Sequence, residues 1–367
     1  MNSARSPLLI LAAGGTGGHI FPAQALAEEM LSRGWRVSLW TDHRGKRFLK
    51  RFPEGAEIRQ IPTASFSQGS GISRFFVPLK ILAGILISLL RILRERPAAV
   101  AGFGGYPAFP PLIAAWLAGN PRLIHEQNGV LGRVNRILAR RVDLVVCGAV
   151  STRLPEGVKS VNAGNPVRGS ILGLAASPYE WPSEGTVNIL VLGGSQGAKI
   201  LDQLVPSAMT KLPPHIRDRL HITQQVRGCH NQAVERYYQE FGVACEIAAF
   251  FEDVPKRLAA AHLVIARAGA STLAEIAVMG RPSLLIPFAA AANNHQTANA
   301  ESFADIGAAI SITEADSTAE RLSEAVLKMI AEPQVAIRMA AAAAAAARPN
   351  AAADFADSVE EIAGGKS

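Results

Sequence analysis

Leu8-Leu9-Ile10-Leu11-Ala12-Ala13-Gly14-Gly15-Thr16-Gly17-Gly18-His19-Ile20-Phe21-Pro22-Ala23 decides how the remainder of the chain is read. The apolar run Leu8 to Ala12 suits a strand buried on both faces, and it ends in a glycine turn. A helical pattern then runs from Pro22 through Met30 to Arg33 and stops at Gly34. A second strand over 36–40 follows at once, and the pattern returns at 99–101, 122–125 and 144–147. Strands alternating with helices predict a parallel, doubly wound sheet.

After Asn165-Pro166-Val167-Arg168 the text turns loop-like, with Ser177-Pro178, Trp181-Pro182 and Glu184-Gly185 as punctuation. A new strand over 188–192 then runs into Gly193-Gly194-Ser195-Gln196-Gly197-Ala198, and strands follow over 222–224, 246–248, 263–266 and 283–286. The second half thus repeats the first, as two α/β units and not as a short-period solenoid. The expected fold is α/β, two Rossmann-like doubly wound domains facing across a cleft. The expected division is 1–165, a linker over 166–186, and 187–350, with the closing helix 351–367 joining the first domain. The alanine run 340–347 is a plain helix, ended by Pro349.

A chain of 367 residues suits two ordinary cores, and 49% hydrophobic with 18% charged residues fits a soluble α/β enzyme. Cys147, Cys229 and Cys245 are far apart and show no ligand spacing, so neither a zinc site nor a disulfide framework is expected. The apolar run after Arg5 stops at Gly14, too soon for a cleavable signal, and the reducing cytoplasm is the expected compartment. Residues 1–170 carry 22 Lys+Arg against 9 Asp+Glu, and residues 171–367 carry 15 against 21, so the halves are +13 and −6. A basic first half points to an anionic partner. Without aromatic-interleaved nucleic-acid motifs, that partner is a lipid surface and not nucleic acid.

Glycines at Gly14, Gly15, Gly17 and Gly18 let a ligand approach the backbone at a helix N-terminus, which favours a phosphate. The dinucleotide fingerprint fails, because Ile20 stands where its last glycine belongs, and the ATP-loop ending is missing. His19 closes the turn and suits a general base that takes a proton from a sugar hydroxyl; the alternative is a histidine that caps the helix. Arg267-Ala268-Gly269-Ala270-Ser271-Thr272-Leu273-Ala274-Glu275 places another glycine turn before a helix. Glu275 suits a ribose diol, or else a first-turn acid facing the helix dipole. Asn294-His295-Gln296-Thr297-Ala298-Asn299 supplies amides, which both donate and accept as sugar hydroxyls require.

Taken in order, GGTGGHIFPA, GFGGYPAFP, HEQNGVLGRVNR, GNPVR, GGSQGA, RAGASTLAE and NHQTANA resemble the MurG family along nearly the whole chain. That family consists of UDP-N-acetylglucosamine:undecaprenyl-diphospho-muramoylpentapeptide N-acetylglucosaminyltransferases. The resemblance implies two Rossmann-like domains in the glycosyltransferase B arrangement, inversion at the anomeric carbon, no cofactor and no required metal. It implies that Thr16, Gly17 and Gly18 line the donor and acceptor-phosphate cleft with His19 as base, and that Asn128 touches the donor sugar. Arg168 and Ser195 would hold the nucleotide and its phosphates, and Phe251 would meet uracil through its backbone. Ala270, Ser271, Thr272, Leu273, Ala274 and Glu275 would wrap the diphosphate and ribose, while Gln296 and Asn299 read N-acetylglucosamine. Tyr106 and Glu126 fall on the acceptor side. Asn293 stands where many relatives carry an acid. No Asp-x-Asp element occurs, which agrees with a leaving diphosphate stabilised by helix N-termini, hydroxyls and Arg168. Cell-wall synthesis proteins are further expected partners.

Two other enzyme classes of the same architecture, a different UDP-sugar transferase and an epimerase, share the fold-level signals. A nucleotide-sugar-binding module without turnover is the alternative outside enzymes, and the failed fingerprint weighs against an oxidoreductase.

Arg74-Phe75-Phe76-Val77-Pro78-Leu79-Lys80, the apolar stretch 81–90, and Arg91, Arg94 and Arg96 form one further segment. A spanning helix needs about 20 apolar residues, and Pro78 and Lys80 interrupt this one. The expectation is a helix lying on an anionic surface, at the cytoplasmic side of the inner membrane; the alternative is a core helix with basic ends.

Overall fold

The structure, a computed structural model, describes residues 6–14, 16–42, 52–62, 77–149, 152–175, 178–194, 197–228, 231–291 and 294–365. The chain divides into two compact units, Met1–Arg168 with Pro349–Ser367, and Gly169–Arg348. Ser195, Asn293 and Arg74 lie outside the described residues.

Unit 1 holds β1 (Leu8–Ala12), β2 (Arg36–Thr41), β3 (Ala56–Gln60), β4 (Ala99–Gly102), β5 (Arg122–Glu126), β6 (Leu144–Cys147) and β7 (Ser160–Asn162). They form one parallel sheet in the order β3-β2-β1-β4-β5-β6-β7. Successive side chains of a strand point to opposite faces, and β1 divides accordingly. Leu9 and Leu11 enter one apolar layer, while Leu8, Ile10 and Ala12 enter the other. Burial on both faces explains why β1 reads as an unbroken apolar run.

The helix after the first turn spans Gly17–Ser32, so it starts five residues before Pro22, where the apolar periodicity begins. Glycines carry no periodic signal, and the helix start is set by the turn. The last helix, Ala351–Gly364, puts Phe355, Ala356 and Val359 into the layer that also holds Leu9 and Leu11. Arg33 fastens it through Asp357 and Glu360, and Trp35 Nε1 donates to Glu360 at 3.1 Å.

Unit 2 repeats the design with β8 (Val187–Leu192), β9 (Leu220–Gln225), β10 (Ala244–Ala248), β11 (Leu263–Ala266), β12 (Ser283–Leu285) and β13 (Ala309–Ser311). Their order is β10-β9-β8-β11-β12-β13, again parallel throughout. In both sheets the strand order reverses direction beside the first strand, at β1/β4 and β8/β11. Open α/β sheets bind ligands at such a switch point, beyond the carboxyl ends of the strands.

Three strands escape the sequence reading. β3 and β7 are edge strands with mostly exposed, polar residues, and β13 has three residues. None has the apolar run by which a buried strand announces itself.

Candidate active site

In unit 1, β1 runs into the turn that ends at Thr16, the extended residue just before helix Gly17–Ser32. Gly17 is buried and Gly18 half-buried, at a helix start whose N–H groups suit an anion. His19 is the third residue of the helix. Its Nδ1 lies 3.1 Å from the carbonyl oxygen of Gly14 and 3.4 Å from Thr16 Oγ1. A carbonyl only accepts, so in the neutral ring Nδ1 carries the hydrogen and Nε2 the lone pair. An Nδ1 that donates cannot cap a backbone N–H, and Nε2 is left in the form a base requires.

Gly104 and Gly105 lie against this ring. A Cβ on Gly105 would stand 3.2 Å from both Cε1 and Nδ1 of His19, and one on Gly104 3.4 Å from Nε2. Both glycines have positive φ, 84° and 72°, so backbone and space demand the same residue. Tyr106, half-buried, begins the short helical turn that follows them, Tyr106–Ala108.

Glu126 ends β5 and is buried. Its Oε1 accepts from the backbone N–H of Asn128 at 3.2 Å and from Asn128 Nδ2 at 3.1 Å. Its Oε2 accepts from Gly132 N–H and Asn135 Nδ2, both at 2.9 Å. Four charge-assisted bonds fix the loop that carries Asn128, so Glu126 acts within the chain by orienting Asn128. His125, next to it, is fully buried, with Nε2 donating to the Gly164 carbonyl at 3.3 Å and its ring stacked 5.3 Å from Phe355. Burial pushes its pKa down to about 4, against the bond to Gly164 and helped by the charge of His19. Arg168, buried at the end of unit 1, lies with Cζ 4.2 Å from the centre of the Phe21 ring.

Unit 2 carries the second glycine turn between β8 and helix Lys199–Thr210. A Cβ on Gly193 would come within 2.6 Å of the Ala198 nitrogen, so the turn closes only around a glycine. Helix Ala270–Met279 starts after Gly269. Ala270, Ser271, Thr272 and Ala274 are half-buried, whereas Leu273 and Glu275 are buried. Glu275 falls in the second turn, and the first turn contains no acid, so the dipole alternative loses its geometry.

Phe251 is buried, and Arg257 caps its ring with Cζ 4.2 Å from the centre. Hydrogen bonds from Arg257 to Glu246 and Asp253 fix that guanidinium and hold both carboxyls below their ordinary range. With the ring so covered, the backbone is the part of Phe251 suited to meeting a ligand. On helix His295–Asp305, Gln296 Oε1 accepts from Phe288 N–H at 3.0 Å, and Asn299 Nδ2 donates to the Ala268 carbonyl at 3.1 Å.

Each half therefore gathers its own set: Thr16 to His19 with Gly104 and Gly105 in unit 1, and the 269–275 and 296–299 segments around the ends of β11 and β12 in unit 2. The sequence reading quoted Gly104, Gly105 and Asn135 within motifs but gave them no role, and it passed over Arg257. The double glycine before Tyr106 was a legible signal; the other two act through contacts distant in sequence. Among the described residues no three His, Cys, Asp or Glu side chains form a metal-holding group.

Two family models match. Residues 9–147 fit the glycosyltransferase family 28 N-terminal domain and residues 188–358 its C-terminal domain. A relative from Caulobacter vibrioides is 43% identical over 98% of this chain and 99% of its own, and one from a Bradyrhizobium species is 44% identical over 99% and 100%. Both bear the name UDP-N-acetylglucosamine–N-acetylmuramyl-(pentapeptide) pyrophosphoryl-undecaprenol N-acetylglucosamine transferase. The crystal structure of Acinetobacter baumannii MurG superposes with a TM-score of 0.77 at 32% identity, covering 97% of this chain and 99% of that one. A UDP-N-acetylglucosamine 2-epimerase from Neisseria meningitidis reaches 0.67 at 14% identity over 97% and 100%, which speaks for the fold alone. With both family 28 domains present in order, the fold of glycosyltransferase B enzymes and relatives this similar from end to end, the chain belongs to the MurG family of N-acetylglucosaminyltransferases.

Proposed function

We propose that the protein transfers N-acetylglucosamine from UDP-N-acetylglucosamine to undecaprenyl-diphospho-muramoylpentapeptide, with inversion and without a divalent metal, at the cytoplasmic face of the inner membrane. The observation that carries the chemistry is the 3.1 Å approach of His19 Nδ1 to the Gly14 carbonyl oxygen, which assigns the ring hydrogen to Nδ1 and the basic lone pair to Nε2. In the step, the acceptor hydroxyl oxygen bonds to the anomeric carbon, its proton passes to Nε2, and the bond from that carbon to the diphosphate breaks. UDP leaves with the electron pair. The helix starts at Gly17 and Ala270, with Arg168 and Ser195, suit the diphosphate charge. Glu275 suits the ribose, Phe251 the uracil, and Gln296 and Asn299 the sugar. Asn128, oriented by Glu126, suits the donor sugar, and Tyr106 the acceptor.

Helix Val77–Glu95 supports the membrane part of the reading. It buries Val77, Gly84, Ser88 and Ile92, and exposes Leu79, Leu82, Leu86, Leu90 and Leu93, with Leu79 and Leu90 at 67% and 68%. These leucines recur at helical spacing along one face, the cations Lys80 and Arg94 are exposed on the same helix, and Trp116 and Leu117 are exposed at the end of helix Phe109–Leu117, which packs against it. An apolar stripe of this size flanked by cations suits insertion among headgroups. No helix among the described residues is long and apolar enough to cross a membrane.

The deciding assay supplies labelled UDP-N-acetylglucosamine and the lipid-linked muramoylpentapeptide, with and without a chelator. A lipid-linked disaccharide formed at equal rates in both is the expected result. Epimerised nucleotide sugar, or no turnover, would move the assignment to an epimerase or a binding module.

A further inference from the structure

Arg267 follows β11 and is buried although it is charged. Its Nη1 donates to the carbonyl of Ile286 at 2.9 Å, its Nη2 lies 2.5 Å from Glu314 Oε1, and its Cζ lies 5.3 Å from the centre of the Phe288 ring. Glu314, three residues past β13, accepts from the backbone N–H of Ala289 at 3.3 Å through its other oxygen. One ion pair thus grips the segment after β12 at Ile286 and at Ala289. Between these two points the N–H of Phe288 donates to Gln296 Oε1. A backbone N–H only donates, so the oxygen of the Gln296 amide is turned to the loop and its NH2 away from it.

We infer that Glu314 is a positioning residue for the donor sugar. Through Arg267 and the Ala289 N–H it fixes the 286–289 loop, and the loop fixes which end of the Gln296 amide is presented. The amide then offers only donors, which select an oxygen on the sugar, either a hydroxyl or the acetamide carbonyl. This rests on the reading of Gln296 as a sugar contact. Removing the Glu314 carboxylate leaves the Arg267 charge buried without it, and the loop loses both its hold at Ala289 and its fixed guanidinium. A small displacement of a positioning group costs a large factor in rate.

The test compares Glu314→Ala, Glu314→Gln, Gln296→Ala and the Glu314→Ala/Gln296→Ala double variant of the full chain. Calorimetry gives affinities for UDP and for UDP-N-acetylglucosamine, kinetics give KM and kcat, and thermal melting shows that each variant is folded. Glu314→Ala is expected to keep UDP affinity within about twofold while kcat/KM for the sugar nucleotide falls about tenfold or more. Glu314→Gln, which retains an acceptor for Ala289 N–H, should recover part of that loss. The double variant should be no worse than Gln296→Ala alone, because the clamp acts through that amide. Equal losses for UDP and for UDP-N-acetylglucosamine, or additive losses in the double variant, would overturn the positioning role. If Gln296→Ala leaves the preference for the sugar nucleotide over UDP unchanged, the sugar-contact reading itself fails. If Gln296→Ala changes that preference and neither Glu314 variant does, the clamp alone is overturned. Should Glu314→Ala not fold, the glutamine variant decides by the same criteria.

Discussion

His19 gives its Nδ1 hydrogen to the carbonyl of Gly14 across 3.1 Å, and this bond, made to a residue before the helix, decides which ring nitrogen is basic. His19→Ala should lower kcat by about two to four powers of ten while UDP-N-acetylglucosamine affinity changes little, since a general base acts in the transition state. Single-turnover kinetics beside calorimetry check this. Near-normal turnover would remove His19 from the chemistry.

Gly105→Ala places a methyl 3.2 Å from that ring at a φ of 72°. A loss of about 1–3 kcal/mol in stability is expected from the backbone alone, because φ 72° with ψ 167° is a region essentially reserved for glycine. Turnover should fall further than stability explains, because the ring must shift, while UDP affinity stays as it was. Parallel melting and activity curves for this variant separate the two effects, and intact turnover would detach Gly105 from the site.

Stability should depend on acid through His125. Its pKa is about 4 in the folded chain and near 6.5 unfolded, so between these values the unfolded state binds the proton and the native state does not. The contribution is fully present above about pH 6.5 and is lost as pH falls toward 4, amounting to about 3 kcal/mol. Urea unfolding at pH 7 and pH 5 for wild type and His125→Gln isolates it. An unchanged difference between the two pH values in the variant would assign the acid sensitivity to other groups.

Glu275→Ala should weaken both UDP and UDP-N-acetylglucosamine, as loss of a ribose partner requires. Arg257→Met, which uncovers the Phe251 ring and releases Glu246 and Asp253, should raise KM for the donor and leave kcat near its wild-type value. Calorimetry on the first and steady-state kinetics on the second are sufficient. A lowered kcat with unchanged KM for Arg257→Met would place that residue elsewhere in the reaction.

The leucine face makes a separate claim. Wild type should sediment with vesicles containing anionic lipid, less so at high salt, and Leu82→Glu/Leu90→Glu should abolish this without altering UDP affinity. Lys80→Glu should weaken sedimentation chiefly at low salt. Indifference of wild type to anionic vesicles at low ionic strength would leave the stripe to another partner.

The leucine stripe also marks how far the sequence reaches. Its residues 81–90 are apolar almost without break, so their helix was legible, but which side would be buried was not. That was settled by Gly84, where a Cβ would stand 2.5 Å from the Pro62 carbonyl, allowing the helix to pack closely on that side. The choice between a surface helix and a core helix turns on such contacts.

The sequence by itself determined the two doubly wound units, because strands buried on both faces must be apolar throughout and each opens on a glycine turn, as Leu8 to Gly18 and Val187 to Gly197 do. It also offered the candidate chemical types, His19, Glu275 and the Gln296 and Asn299 amides, since these stand beside those turns or at the starts of helices. It could not determine their orientation. That Nε2 is the basic nitrogen of His19, that Glu126 is spent on the Asn128 loop, and that Gln296 presents its NH2 follow from bonds to Gly14, Gly132, Asn135 and Phe288. Nor could it pair Arg267 with Glu314, 47 positions apart, or place Phe355 on His125. Periodicity and turn chemistry are local properties, legible in neighbouring residues. Hydrogen-bond direction and burial depend on what the folded chain brings alongside, and only the tertiary structure decides that.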